Sequence, residues 1–469
     1  MPQPLRRRPR SERPERRWGG PPVAFAALLA LAAALRLTGI RYGLPFPLLN
    51  PDERSIVPRA WAMVHGGGLD PHWFDYPSLV LYLLAPFQAW QDDPSYLAAR
   101  LTMVVIALGG VAAAWWLGQR AYGPLAGFVA AAATAVETTH VAYSRMAVTD
   151  VPLTLGVAVA LALMVSGRIE LAGLAVGLAA SAKYPGVLLL APLLAGAWGR
   201  WRRLAVALAL AVVGFAVTSP FVVLHLGQAA ADAWRVQEAA RGGWLGFEND
   251  HAAPIAFVTR LWDGLGPALL IAAAGLVVAL VHRRRADLVL AVFVLVYFAD
   301  LMTLHAHFDR YLLPLVPALG ALAGRLGALA PVTLLMLVVP LTWSIRDTRD
   351  LTRTDARVVA HRWVERNLPR GAILATDPST PDFEGFRVVR LELPRRGEPP
   401  DSKRDVERLR QLGVGYVVVT GAIEDRVLAA ARHYPRETAF YRELRRQRRA
   451  YAVHPRGRVG GPWVEIYRL

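Results

Sequence analysis

The chain has 469 residues, 54% hydrophobic and 19% charged, with a formal net charge of +17 and no cysteine. A mean hydropathy of +0.32 and charge almost missing from long stretches between residues 22 and 345 exclude an ordinary soluble domain, where about a quarter of residues are charged. The lack of cysteine excludes disulfides and thiolate-held metals. The positive charge falls in loops and at the N-terminus, where membrane topology places it, so no nucleic-acid partner is expected.

Taken in chain order, residues 1–20 come first, carrying Arg6, Arg7, Arg8, Arg10, Arg13, Arg16 and Arg17 among prolines. They are too polar to bury a core and read as a disordered, basic, cytoplasmic N-terminus. Residues 22–40 are longer than the core of a signal peptide and read as an uncleaved first span. Further apolar runs cover 97–119, 124–141, 147–166, 169–182, 184–199, 203–221, 265–282, 286–304, 310–327 and 329–345. Runs of this length suit a hydrocarbon core of about 30 Å, which gives about eleven spans in a membrane domain over 21–345. The apolar stretch 76–90 is too short to cross and reads as a juxtamembrane or re-entrant helix.

With the N-terminus inside, the cytoplasmic loops hold the strongest basic runs, Gly199-Arg200-Trp201-Arg202-Arg203 and His282-Arg283-Arg284-Arg285. The opposite loops, chiefly 41–96 and 222–264, hold most of the acids and histidines. The positive-inside rule therefore orients the chain as a multi-pass protein of the plasma (inner) membrane, N-terminus cytoplasmic and tail extracytoplasmic. In the tail, 346–469, residues 355–368 and 401–413 have helical spacing, whereas 372–377 and 416–421 are β-rich runs. Strand–helix–strand order predicts a small α/β domain. It carries no nucleotide-binding glycine pattern, and no Walker motif occurs in the chain.

Four polar constellations fall on the outer side. Asn50-Pro51-Asp52-Glu53-Arg54 follows the first span and places adjacent carboxylates close to the bilayer, which is costly unless they are used or solvated. Its bland reading is a hydrated turn. Ser144-Arg145 to Thr149-Asp150-Val151-Pro152 opens a span where the helix dipole favours an anion, so Asp150 also reads as a cap. Ser181-Ala182-Lys183-Tyr184-Pro185 holds one of only two lysines in the chain; between apolar spans it must snorkel or meet an anion such as phosphate. His305-Ala306-His307-Phe308-Asp309-Arg310-Tyr311 offers a guanidinium fork suited to phosphate, or an interfacial aromatic–cationic anchor. The long loop 222–264 adds His251 between glycine hinges and acids.

In this order and on this side, these motifs resemble the GT-C membrane glycosyltransferases that use polyprenyl-phosphate sugars, among them protein O-mannosyltransferases and lipid A aminoarabinose transferases. Asp52-Glu53 matches the family's acidic pair after the first span, and Asp150 the later acid. Lys183-Tyr184-Pro185 matches its lysine before an apolar helix, and Arg310 to Pro317 its Arg-Tyr-x-x-Pro-x-x-Pro element. The resemblance implies a polytopic α-helical membrane protein of GT-C type with a C-terminal extracytoplasmic α/β domain. It implies inverting transfer of a sugar from a polyprenyl-phosphate carrier to a hydroxyl of a lipid, glycan or protein acceptor. Asp52, Glu53 and Asp150 are then the catalytic candidates, and Lys183, Arg310 and Tyr311 the donor-phosphate ligands. Arg54, Tyr76, Arg145, Tyr184 and His251 are acceptor or loop residues. Glu53, His305 and His307 are candidate ligands of a divalent metal, although a lone His-x-His is a weak signal. A transporter or flippase of lipid-linked sugars and a lipid-linked oligosaccharide ligase remain the competing readings. Transporters show internal repeats and midplane charges; here the charges sit at one face.

Overall fold

The apolar segments fold as helices, most of them shorter or more broken than their hydropathy suggests. The computed structural model describes residues 21–469, so the basic segment 1–20 lies outside the described residues. Among the described residues, three helices are long and apolar enough to cross a membrane: Tyr96–Tyr122, Trp201–Thr218 and Gly327–Asp350. A fourth candidate is Ala253–Leu265 with Ala268–His282, bent by 117°. These helices alone do not reach the expected count of about eleven. The other apolar helices are 10–17 residues long, such as Pro124–Val136, Asp150–Val165 and Ile169–Ala182. At about 1.5 Å per residue a helix of this kind falls short of a 30 Å core.

The shortening has local causes. The run 124–141 divides at Glu137, whose extended backbone ends Pro124–Val136 and whose carboxylate accepts the His140 amide to cap Thr138–Tyr143. The run 184–199 opens as the 3-10 segment Tyr184–Leu189 and continues as Leu190–Gly196, and 310–327 as Asp309–Leu315 followed by Val316–Arg325. Pro185 and Pro317 sit at such starts, where a missing amide costs least, and Pro314 lies inside the 3-10 turn just before the second helix. The 76–90 stretch folds as the ten-residue helix Leu79–Gln88.

Helices pack through small residues. Gly173 and Gly177 lie so close to Trp201–Thr218 that an added Cβ would fall on the carbonyls of Ala207 and Ala211. The core is correspondingly alanine-rich, while Val105, Val212, Val217, Val281 and Leu335 point outward. That outward apolar shell is what a lipid solvent allows.

The C-terminal region builds two sheets. β1 (Thr354–Asp355) pairs in parallel with β6 (Val459–Gly460). A five-stranded sheet has the order β3 (Arg387–Arg390), β2 (Ile373–Thr376), β4 (Tyr416–Thr420), β7 (Val464–Arg468), β5 (Arg448–Val453). β3, β2 and β4 are parallel, and β7 and β5 add antiparallel. Alternate residues face opposite layers: Leu374, Val418 and Ile466 pack with the helix Ala356–Asn367, whereas Ala375, Val417 and Val419 pack with Val406–Gln411, Gly421–Ala429 and Pro435–Leu444. The helix read over 401–413 is thus a single short piece, and β3 and the β5–β7 ribbon had no β-branched run strong enough to announce them.

Candidate active site

Each charged residue of the site is displayed by a break in regular backbone. Asp52 is the first residue of the helix Asp52–Ala62, its amide bonded to Asn50 Oδ1 at 2.9 Å. Asp150 opens Asp150–Val165, inside the positive end of that helix. Lys183 caps Ile169–Ala182 in an extended conformation, φ −159° and ψ 137°, which frees its side chain from the helix surface. Arg310 rides the turn Asp309–Leu315, whose first carboxylate accepts the Arg310 amide at 2.8 Å and the Tyr143 hydroxyl at 3.0 Å.

These four side chains meet. Lys183 Nζ lies 2.6 Å from Asp150 Oδ1, and Arg310 Nη1 lies 2.6 Å from Asp52 Oδ2. Arg310 Nε is 3.9 Å from Asp150 Oδ2, and neither of those atoms has a hydrogen-bond partner among the described residues. The Tyr76 hydroxyl donates to Asp52 Oδ2 at 3.2 Å. Burial, and then the Asp52 carboxylate, raise that hydroxyl well above the ordinary tyrosine value, so it stays a donor. Lys183 Nζ sits 4.7 Å from the Tyr311 ring centre and 5.8 Å from that of Tyr76, an aromatic setting that suits a cation. Two acids and two bases balance, which is how a buried charge cluster remains tolerable. Asp52 is the most accessible of them, its side chain 17% exposed.

Lys183, Tyr76, Tyr184 and Tyr311 line one wall of a cavity of about 340 Å³, with Trp234 and Leu301 among its apolar lining. Tyr184 is fixed there by its hydroxyl bond to Phe74 O at 2.9 Å. A second cavity, of about 380 Å³, holds His251 with Asp250, His305 and His307.

Other candidates lie elsewhere. Glu53, wholly buried, accepts Arg100 Nε at 2.9 Å and Nη2 at 2.7 Å, and does not join the cluster. Arg145 is a brace: it donates to Leu35 O at 2.8 Å, Thr38 O at 2.9 Å and Thr348 Oγ1 at 3.1 Å. Arg54 reaches away to Thr380 O at 2.6 Å. The metal proposal also fails the geometry. His305 Nδ1 contacts Arg241 O at 2.6 Å, His307 Nδ1 contacts Asp250 Oδ2 at 3.0 Å, and Glu53 is sealed by Arg100. Among the described residues no group of three or more His, Asp or Glu could hold a metal ion.

The model of glycosyltransferase family 87 matches residues 73–306. Crystal structures of ArnT from Cupriavidus metallidurans are similar: that bound to undecaprenyl phosphate has a TM-score of 0.55 at 15% identity, over 95% of this chain and 97% of that one. The chain has the fold of ArnT. The archaeal oligosaccharyltransferase AglB from Archaeoglobus fulgidus, in complex with an inhibitory peptide and a dolichol-phosphate, shares the fold at a TM-score of 0.55 and 10% identity, over 86% of this chain and 69% of that one. No curated protein matches the chain. The resemblance stated from the sequence therefore holds for the fold.

Sequence reasoning missed two parts of the site region. Arg100, the partner of Glu53, stood inside an apolar run, and a charge there signals a nearby counter-ion. Asp309, which orders the Arg310 turn, was visible only as a neighbour of Arg310.

Proposed function

We propose that the chain transfers a sugar from a polyprenyl-phosphate carrier to an acceptor hydroxyl, with inversion at the anomeric carbon. The observation that carries this reading is the buried Asp52–Arg310–Asp150–Lys183 cluster beside an apolar cavity walled by Tyr76, Tyr184 and Tyr311. The carrier's isoprenoid chain is a natural occupant of lipid and apolar wall, and its phosphate a natural partner of Lys183 and Arg310. The ArnT and AglB structures hold undecaprenyl phosphate and dolichol-phosphate, which supports the same chemistry here.

In the transfer, the acceptor oxygen bonds to the anomeric carbon as the bond from that carbon to the phosphate oxygen breaks. The lipid phosphate leaves with the bonding electron pair. It requires neutralisation rather than a proton, which Lys183 and Arg310 supply. Asp52 takes the proton of the acceptor hydroxyl. A phosphate that draws Arg310 toward itself also releases Asp52 from its 2.6 Å ion pair, coupling donor binding to the availability of the base. Asp150 holds Lys183 in place until the donor arrives. We also take the shorter apolar helices as sitting in the bilayer with the long ones, the site and the sheet domain facing the extracytoplasmic side and residues 1–20 the cytoplasm.

The test uses the full chain in lipid nanodiscs with an undecaprenyl-phosphate-linked sugar. Asp52→Asn should lower turnover by at least about 100-fold while leaving undecaprenyl phosphate binding in place. Lys183→Ala should weaken that binding by at least about tenfold, the loss of one charge-assisted contact. Near-normal transfer by Asp52→Asn, or unchanged binding by Lys183→Ala, removes the respective assignment.

A further inference from the structure

A larger cavity, of about 700 Å³, adjoins the turn that carries Arg310. Phe308 and Asp309 line it, whereas Tyr311, just beyond Arg310, lines the apolar cavity with Lys183. The residue that grips Asp52 therefore stands in the chain between two cavities of contrasting chemistry. The large one combines aromatic faces, Phe247, Phe308 and Trp343, with the carboxylates Asp263, Asp309 and Asp347. His307 lines it and the cavity of His251 alike: it is buried, and its Nε2 has no hydrogen-bond partner among the described residues. A buried polar atom without a partner beside a cavity leaves a donor or acceptor for a group that enters there.

The wall chemistry selects the ligand. A sugar ring presents C–H faces that lie on aromatic rings and a rim of hydroxyls that donate to carboxylates. The walls come largely from the helices Thr138–Tyr143, Ala253–Leu265 and Val338–Asp350. Backbone groups inside helices are already paired, so little remains to read the main chain of a peptide. Of the two arginines in the lining, Arg260 is committed to Asp250 at 2.7 Å, and the three carboxylates outnumber Arg346, so the cavity opposes a phosphorylated ligand. A volume of about 700 Å³ lies within the range of small-molecule sites.

We propose that this cavity is the acceptor subsite and that it takes a neutral, hydroxyl-rich saccharide. The inference rests on the transferase reading above and names its acceptor class: the attacking oxygen is a sugar hydroxyl, and the donor is held on the opposite side of Arg310.

The test is saturation-transfer NMR on the full chain in nanodiscs, with a panel of methyl hexosides and methyl pentosides and, for comparison, a hexapeptide containing Ser and Thr. At least one glycoside should give a signal, and Trp343→Ala should reduce it about fivefold, the loss of one aromatic contact. Asp347→Asn should weaken the same signal. Undecaprenyl phosphate binding, measured on the same nanodiscs, should be unchanged in both variants, which also shows that they are folded. Absence of any glycoside signal, glycoside binding indifferent to both substitutions, or a Trp343-dependent signal from the peptide instead overturns the proposal. If donor binding proves independent of Lys183 while glycoside binding depends on Trp343, it is the transferase reading that fails and the saccharide site that stands.

Discussion

Asp52 and Glu53 begin the same helix, so their side chains leave it about 100° apart and enter different environments. Asp52 turns to Arg310 and Tyr76. Glu53 turns inward, where it also accepts the Ala147 amide at 3.2 Å while Arg100 Nη1 donates to Ile40 O and Tyr42 O. This fully buried pair ties the helix Asp52–Ala62 to the helix Tyr96–Tyr122. Glu53→Gln leaves the guanidinium uncompensated in an apolar setting, a loss of about 3–5 kcal/mol. It should appear as a lower thermal midpoint and poor expression. Asp52→Asn should leave the midpoint near that of the parent and remove transfer. Equal stability losses in the two variants would contradict this division. The sequence showed both acids and their cost near a membrane; it also showed Arg100 in an apolar run. What it did not show is the direction each side chain takes, because one residue of helical phase separates a buried brace from a carboxylate that meets Arg310. Arg145 was misread for the same reason: its targets are backbone carbonyls of the first helix and its surroundings, which leave no trace in composition.

At the scale of elements, the site depends on where helices stop. Lys183 is displayed by the end of Ile169–Ala182, and that helix is seated on Trp201–Thr218 through Gly173 and Gly177, four residues apart on one face. A side chain at Gly177 must push the two helices apart, since the obstacle is backbone rather than a movable side chain. Gly177→Val should therefore shift the Lys183 end and weaken undecaprenyl phosphate binding by about tenfold or more with helical content unchanged. Gly227→Ala, with open space around its Cβ, serves as the neutral control. Circular dichroism and lipid titration measure the two effects; equal binding in both variants would show that the helix seat does not position Lys183. Hydropathy located nearly all these segments because burial in lipid leaves a strong apolar signal. It overran their ends because a window averages out a single Glu137 or a Pro314, and those residues are where the backbone turns to present the site.

For the whole molecule, the sheet domain touches the parts of the chain that frame the site. Arg54 reaches Thr380 O at 2.6 Å, Arg357 reaches Leu48 O at 2.9 Å, and Asn249 reaches Ala429 O at 2.9 Å, while Tyr434 donates to Glu248. Thr380 follows β2, at the carboxyl end of the parallel strands, where open α/β sheets present their loops. The stability of this domain should depend on pH through Glu424. Burial pushes its carboxyl up from 4.5 to about 7, with Arg445 pulling back and the Asp377 and Glu465 charges adding to the rise. Between those values the folded domain holds a proton that the unfolded chain has already released. The stabilisation linked to that proton is complete below about 4.5 and is lost as pH rises through about 7. Hydrogen exchange of β2 and β4 should therefore quicken from pH 5 to pH 8, after correction for intrinsic rates. Glu424→Gln, which cannot ionise, should flatten that dependence, and an equal slope in both proteins would show that Glu424 is not its source. Because the same domain grips Arg54, two residues from Asp52, loosening it at high pH should also loosen the start of the helix that carries Asp52; transfer by the parent should then fall more steeply with pH than transfer by Glu424→Gln.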